Sequence, residues 1–263
     1  MKNTLWEGGL RVAAFVWSPM LKSRRRVSHQ LMHVCDWLPT LLHAVGANTS
    51  SLGHLDGVNM WPSLSDGAKS PRKELLHNID LDGKVYSIRI GDFKLVAPNW
   101  DYRDRFGWYA PEQAQFGPLR FEPRDGGEIS RSAGAFPESV PEYELSAEER
   151  EMTLEQIAAK LDAISAKRYP TKAIRKDVVD CGEKPANAST NCRPGRPCLY
   201  HVTSDPCEYR NLYADEPEVV RLMYTRVLAH NATAVPRKNC PEDPRGFPVN
   251  NGWAWSPWVN LDN

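Results

Sequence analysis

The sequence predicts the end of an α/β domain followed by a smaller α+β unit, and three observations carry that expectation. An apolar, strand-like run lies close to the N-terminus, residues 74–96 alternate in a β pattern broken by turn residues, and two amphipathic helices come further on. The first run, Leu10–Trp17 (LRVAAFVW), suits a buried strand, and a strand of that kind needs both faces covered. The chain is therefore expected to begin mid-fold. Residues 1–73 would form the C-terminal edge of a large α/β domain, and residues 74–263 an α+β domain with an antiparallel sheet, a helix and a long insertion at about 97–180.

The elements follow in order. Lys22-Ser23-Arg24-Arg25-Arg26 reads as a basic surface loop. Asp36 is placed to cap a helix with Pro39 in its first turn, with Leu38, Leu41, Leu42 and Val45 on one face and Gly46 as terminator. Leu75–Ile79 and Val85–Ile90 flank Asp82-Gly83, and Gly91-Asp92 turns the chain into Phe93–Val96, which together read as an antiparallel meander. Residues 97–145 are rich in Pro, Gly, Trp and charge and have no period. Ser146 and Glu149 form a capping box for a helix in which Leu154, Ile157, Leu161 and Ile164 recur. A last helix is expected from about Pro217 to His230, with Val220, Met223, Tyr224, Val227 and Leu228 on one face. An aromatic tail with Trp253, Trp255 and Trp258 ends the chain.

Composition excludes several classes. Apolar residues make up 41% and charged residues 25% of the 263, which is ordinary globular usage. Lys plus Arg and Asp plus Glu are both 33, so the basic excess of a nucleic-acid-binding protein is missing. No apolar run approaches the roughly 20 residues of a membrane span. Asn48, Asn187 and Asn231 each head an N-glycosylation acceptor sequence. Cys181, Cys192, Cys198 and Cys207 fall within 27 residues, which reads as local disulfides in an oxidising compartment. Short loops favour Cys198–Cys207 and Cys181–Cys192, although sequence alone leaves the connectivity open. Zinc is the alternative, but intervening stretches of 10, 5 and 8 residues miss the usual ligand pairs. Cys35 reads as a buried thiol. The opening residues lack the apolar core of a signal peptide, so an entry signal is expected upstream.

Residues Lys2–Arg11, KNTLWEGGLR, resemble a sulfatase block. The likeness runs on through Phe15-Val16-Trp17-Ser18-Pro19, DWLPT at 36–40, Leu55-Asp56-Gly57, Trp61, ELLHNID at 74–80 and IRIGDFKLV at 88–96. It resumes at Pro197-Cys198-Leu199-Tyr200, Asp205-Pro206-Cys207-Glu208 and Asn211-Leu212. Such a co-linear series resembles the C-terminal part of an arylsulfatase B-like sulfatase, in the N-acetylgalactosamine-4-sulfatase branch. The resemblance implies the end of an alkaline-phosphatase-like large domain followed by the C-terminal domain. It implies a lysosomal or secreted, calcium-dependent hydrolase of glycosaminoglycan sulfate esters. Lys2 would bind a sulfate oxygen, as a compact ammonium can when negative charge develops there. The Glu-Gly-Gly turn would place Gly8 or Gly9 at positive φ.

In that family the nucleophile, a cysteine of a Cys-x-Pro-x-Arg motif converted to formylglycine, and the calcium ligands lie upstream of the lysine block. This chain is then expected to lack them and to be inactive alone. Cys192-Arg193-Pro194-Gly195-Arg196 satisfies the motif literally, but after the lysine block rather than before it, so a disulfide role is expected. By the same resemblance Cys240 would pair with an upstream cysteine. His29, His33, His43, His54, His77, His201 and His230 show no HExxH or clustered spacing and read as structural. The competing reading is a secreted, non-catalytic glycan-binding protein derived from a sulfatase, using the basic loop and the tryptophans.

Overall fold

The computed structural model describes residues 5–48, 52–80, 85–98, 143–170, 179–188, 192, 197–235 and 244–254. Lys2, Asp82-Gly83, Cys240, Trp255, Trp258 and most of the expected insertion lie outside the described residues. The chain divides into two compact units, Met1–Asn231 and Ala232–Asn263. The first contains short helices α1 (Glu7–Leu10), α2 (Trp37–Ala44) and α3 (Trp61–Asp66), then strands β1 (Glu74–Asp80), β2 (Val85–Ile90) and β3 (Phe93–Ala97). Helices α4 (Ala147–Glu151) and α5 (Leu154–Arg168), strand β4 (Cys198–His201) and helix α6 (Pro217–Ala232) follow.

The strands form one antiparallel sheet in the order β1-β2-β3-β4. The period-two pattern sorts its side chains. Register pairs Ile88 with Leu95 and Leu95 with Leu199, so these three share one face with Tyr86, Ile90 and Phe93. That face packs on Ile157, Ala158 and Leu161 of α5 and on Val219, Val220, Leu222, Met223, Tyr224 and Val227 of α6. Fully burying one such aliphatic side chain stabilises the fold by about 1.5–3 kcal/mol, so this layer is its main support. The alternate residues, Arg89, Lys94, Cys198 and Tyr200, fall on the opposite face.

Several expectations are corrected. The single helix after Ser146 is two helices. The Ser146–Glu149 capping box starts α4, and a second box, Thr153 with Gln156, opens α5 after the extended residue Met152. Leu10–Trp17 is not a strand. Its side chains at Val12, Phe15 and Trp17 are 79%, 91% and 85% exposed, because nothing among the described residues covers them. On α2 the face bearing Leu38, Leu41 and Val45 is likewise exposed. Asp36 precedes α2 without capping it. Its buried carboxylate instead accepts from the His33 and Val58 amides and from the Arg72 guanidinium. Gly46 does close α2, at φ +70°.

All four clustered cysteines are oxidised, with partners exchanged from those expected. Cys181 bonds Cys207 and Cys192 bonds Cys198, with Cα atoms 5.7 and 5.3 Å apart. Cys198 opens β4, whereas Cys207 lies past the turn that closes where the Ser204 and Asp205 amides bond back to His201 O. Cys35 is a free, half-buried thiol whose Sγ lies 2.9 Å from His33 Nδ1.

In the second unit, 3₁₀ turns at Pro244–Gly246 and Pro248–Asn250 are tied by Asn251 Nδ2, which donates to Arg245 O and Phe247 O. Trp253 stands 76% exposed there. No helix among the described residues is long and apolar enough to cross a membrane.

Candidate functional site

The second face of the sheet receives the block that the sequence singled out. Trp6 has extended backbone, and the amides of Gly9 and Leu10 return to its carbonyl at 2.8 and 3.1 Å to make the single turn α1. Gly8 and Gly9 lie within this right-handed turn and neither has positive φ, contrary to expectation. The turn sets Trp6 against Tyr200 of β4, ring centroids 5.6 Å apart and edge-on, beside the Cys192–Cys198 disulfide.

Glu7, the glutamate of the block, is held at two points. Lys94 Nζ, on a fully buried side chain of β3, donates to Glu7 Oε1 at 3.0 Å and to Glu208 Oε1 at 2.8 Å. Glu208 Oε2 accepts the Glu7 backbone N–H at 2.7 Å. Arg89 Nη1 of β2 lies 3.8 Å from Glu7 Oε2. Two cations therefore face two carboxylates. Burial works to raise the Glu7 carboxyl, but Lys94 and Arg89 outweigh it and hold it below the usual carboxylate range. For Glu208 burial prevails and pushes the carboxyl up. Burial, with repulsion from Lys94, drives neighbouring His77 down to about 4. His77 Nε2 and Trp6 Nε1 are buried without a hydrogen-bond partner among the described residues.

The cluster is charge-balanced and buried, so its chemistry is to hold the block, not to react. Of the residues expected at a site, Lys2 lies outside the described residues. Asn48, Asn187 and Asn231 are all exposed, Asn231 on α6. Cys192, head of the motif look-alike, is locked in its disulfide with Sγ 3.3 Å from Tyr200 OH. Among the described residues no three His, Cys, Asp or Glu side chains converge as metal ligands. Lys94 and Glu208 were missed as functional residues. The sequence carried no signal for them, because a lysine between Phe93 and Leu95 fits the ordinary apolar–polar alternation of a strand with one face exposed.

Two other polar groupings prove structural. Ser165 Oγ lies 2.8 Å from His201 Nε2 and donates to Asp92 Oδ2 at 3.2 Å, while His201 Nδ1 faces Ser204 Oγ at 2.8 Å. The carboxylate thus sits on the serine and not behind the imidazole, and serine and imidazole are both buried, so a nucleophilic relay is not assembled. Glu74 of β1 takes a bidentate contact from Arg226 of α6 and a third from His230 Nε2 at 3.0 Å. Burial opposes its charge, but these partners hold its carboxyl at about 2. A cavity of about 430 Å³ beside the Cys181–Cys207 disulfide shares no lining residue with the block.

Comparison with known proteins agrees with the block. No family model matches the chain. The whole chain is 28% identical to mouse arylsulfatase J, covering 36% of that protein. A stretch of 66 residues, a quarter of the chain, is 38% identical to human N-acetylgalactosamine-6-sulfatase and covers 13% of it. A stretch of 147 residues, 54% of the chain, is 26% identical to rat arylsulfatase G and covers 27% of it. The chain is thus related to the sulfatases, a family of sulfuric ester hydrolases. It spans about a third of the length of arylsulfatase J. These relatives do not single out the N-acetylgalactosamine-4-sulfatase branch.

Proposed function

We propose that the chain is the C-terminal portion of a lysosomal or secreted sulfatase that hydrolyses sulfate esters of glycosaminoglycans, of the N-acetylgalactosamine 4-sulfate type. The observation that carries this reading is the match of the entire chain to one contiguous third of a sulfatase. Residues 1–73 then belong to the edge of the large domain, and the sheet with α5 and α6 forms the C-terminal domain. Lys2 supplies an ammonium to the sulfate oxygens as charge builds on them. The nucleophile and the calcium ligands come from chain preceding residue 1. The exposed apolar residues of Leu10–Trp17 and α2 support a larger body on that side.

The test is turnover of an aryl sulfate, and of N-acetylgalactosamine 4-sulfate against 6-sulfate, by the protein as its source makes it. Lys2→Ala is expected to lower kcat/KM by about 10²–10³-fold without changing Tm. Residues 1–263 alone are expected to give no turnover. Turnover by that piece would sink the fragment reading, and an active protein indifferent to Lys2→Ala would remove the role of Lys2. Sulfated-glycan binding without any turnover would favour the non-catalytic alternative.

A further inference from the structure

We propose that the loop Lys22-Ser23-Arg24-Arg25-Arg26 is a docking site for a sulfated polysaccharide; this goes beyond the sulfatase reading above and does not depend on turnover. Lys22 Nζ pairs with Asp66 Oδ2 at 2.9 Å. Arg24, Arg25 and Arg26 are exposed, and none of them meets a carboxylate among the described residues. The loop is braced on the end of α3. The Ser23 N–H donates to Ser65 O at 2.8 Å and the Lys22 N–H to Ser65 Oγ at 3.2 Å. Arg26 Nη2 donates to Ser63 O and Leu64 O, filling carbonyls that the helix leaves open. Arg24 folds back on its own turn, Nε donating to Leu21 O at 3.1 Å and Nη2 to Pro19 O at 2.6 Å. Carbonyls orient these guanidiniums without neutralising them. Between the two, Arg25 has left-handed backbone, φ +53°, where glycine or asparagine is the ordinary choice. Keeping arginine at such a position points to a use for its side chain.

A patch of this kind selects an anion of repeated charge. One exposed ion pair is worth little. Contiguous guanidiniums, each able to take two oxygens of a sulfate as of a phosphate, add up along a polymer. The two disulfides support an oxidising compartment, away from the anionic lipids of the cytoplasmic leaflet. The formal charge of zero lacks the wide basic excess of a nucleic-acid binder. A sulfated polysaccharide meets neither objection. The loop also differs in kind from the apolar Leu10–Trp17 tract. Burying three guanidiniums that lack carboxylate partners against a larger body would be costly, so this loop faces solvent in the whole protein.

The test is binding of a fluorescent chondroitin 4-sulfate oligosaccharide to the protein as its source makes it, followed by anisotropy across a salt series. Arg24→Gln with Arg25→Gly removes two charges, spares Arg26 and its hold on α3, and suits the left-handed backbone at position 25. The pair is expected to weaken binding by about 10–30-fold at about 0.1 M NaCl and to lower the slope of log Kd against log salt by about 1–2. Tm should stay within about 2 °C, since both side chains are exposed. The oligosaccharide stripped of sulfate should bind at least about tenfold more weakly. Equal binding by wild type and variant, or equal binding of the sulfate-free oligosaccharide, would overturn the inference. So would a DNA duplex bound more tightly than the sulfated oligosaccharide, which would make the loop a nucleic-acid patch. If the wild-type protein turns over no aryl sulfate, yet binds the oligosaccharide and loses it in the variant, the sulfatase reading falls and the docking loop stands.

Discussion

His77 occupies the irregularity in β1, where pairing skips from Leu76–Ile88 to Asn78–Ser87 and one residue is left over. Such a bulge re-aims a side chain, and here it leaves an imidazole with a buried Nε2 and no partner among the described residues. Burial, with Lys94 adding to it, lowers its folded pKa from 6.5 to about 4. Between those values the unfolded chain binds more protons than the folded one, so stability rises with pH across the window and is lost on acidification. Each pH unit is worth about 1.4 kcal/mol. Glu74 acts at lower pH: its folded value of about 2 lies below the ordinary 4.5, so its contribution is present above 4.5 and fades as pH falls towards 2. Thermal melts followed by circular dichroism should show Tm falling by about 4–8 °C between pH 6.5 and pH 5. His77→Leu should flatten that slope, and an unchanged slope would exclude His77 as its source. At this scale the sequence was least legible. A histidine in an alternating run reads as ordinary, and its environment depends on Lys94 and Glu7, which are distant in sequence.

The elements were more legible, and for a physical reason. The meander over 74–96 carries its own register, since a slip of one residue would turn Ile88, Ile90 and Leu95 off the buried face. The α5 periodicity likewise predicts Ile157 and Leu161, both buried. What periodicity could not separate was α4 from α5, because a capping box at Thr153 interrupts a pattern that looks continuous in apolar residues. Nor could it tell the covered α5 from the uncovered α2, whose apolar face has the same spacing. The distinction is measurable. Leu161→Ala should destabilise by about 2–5 kcal/mol, as expected for a core truncation. Leu38→Ala on α2, where Leu38 is 52% exposed, should change stability by no more than about 0.5 kcal/mol in residues 1–263. Chemical denaturation of the two variants decides it, and similar losses at both sites would mean that α2 is covered in solution. The disulfides belong here too. Cys192–Cys198 closes a shorter loop than either expected pair, with a sequence separation of 6, and Cys181–Cys207 closes a longer one, with a separation of 26, so loop length alone does not rank the pairings.

Across the whole molecule, apolar exposure is uneven. Of the thirteen large apolar side chains exposed among the described residues, the ten at Val12, Phe15, Trp17, Met20, Val27, Val34, Leu38, Leu41, Val45 and Leu52 precede β1, while the sheet, α5 and α6 bury theirs. Scattered exposed apolar residues are normal, but a concentration in one tract marks a surface built for contact. The formal charge of zero adds no repulsion to keep such surfaces apart. Residues 1–263 are therefore expected to self-associate at micromolar concentration and to bind a hydrophobic dye. Phe15→Ser with Trp17→Ser should lower both signals in sedimentation velocity and dye titration, while leaving the melt of the sheet core unchanged, because neither side chain touches that core. In the protein as its source makes it, the same two substitutions should act oppositely, lowering Tm by several degrees, since there the tract would be covered and truncation would leave cavities. If both preparations respond alike, with less association and an unmoved melt, the tract is exposed in the native protein too, and residues 1–73 are not the edge of a larger domain.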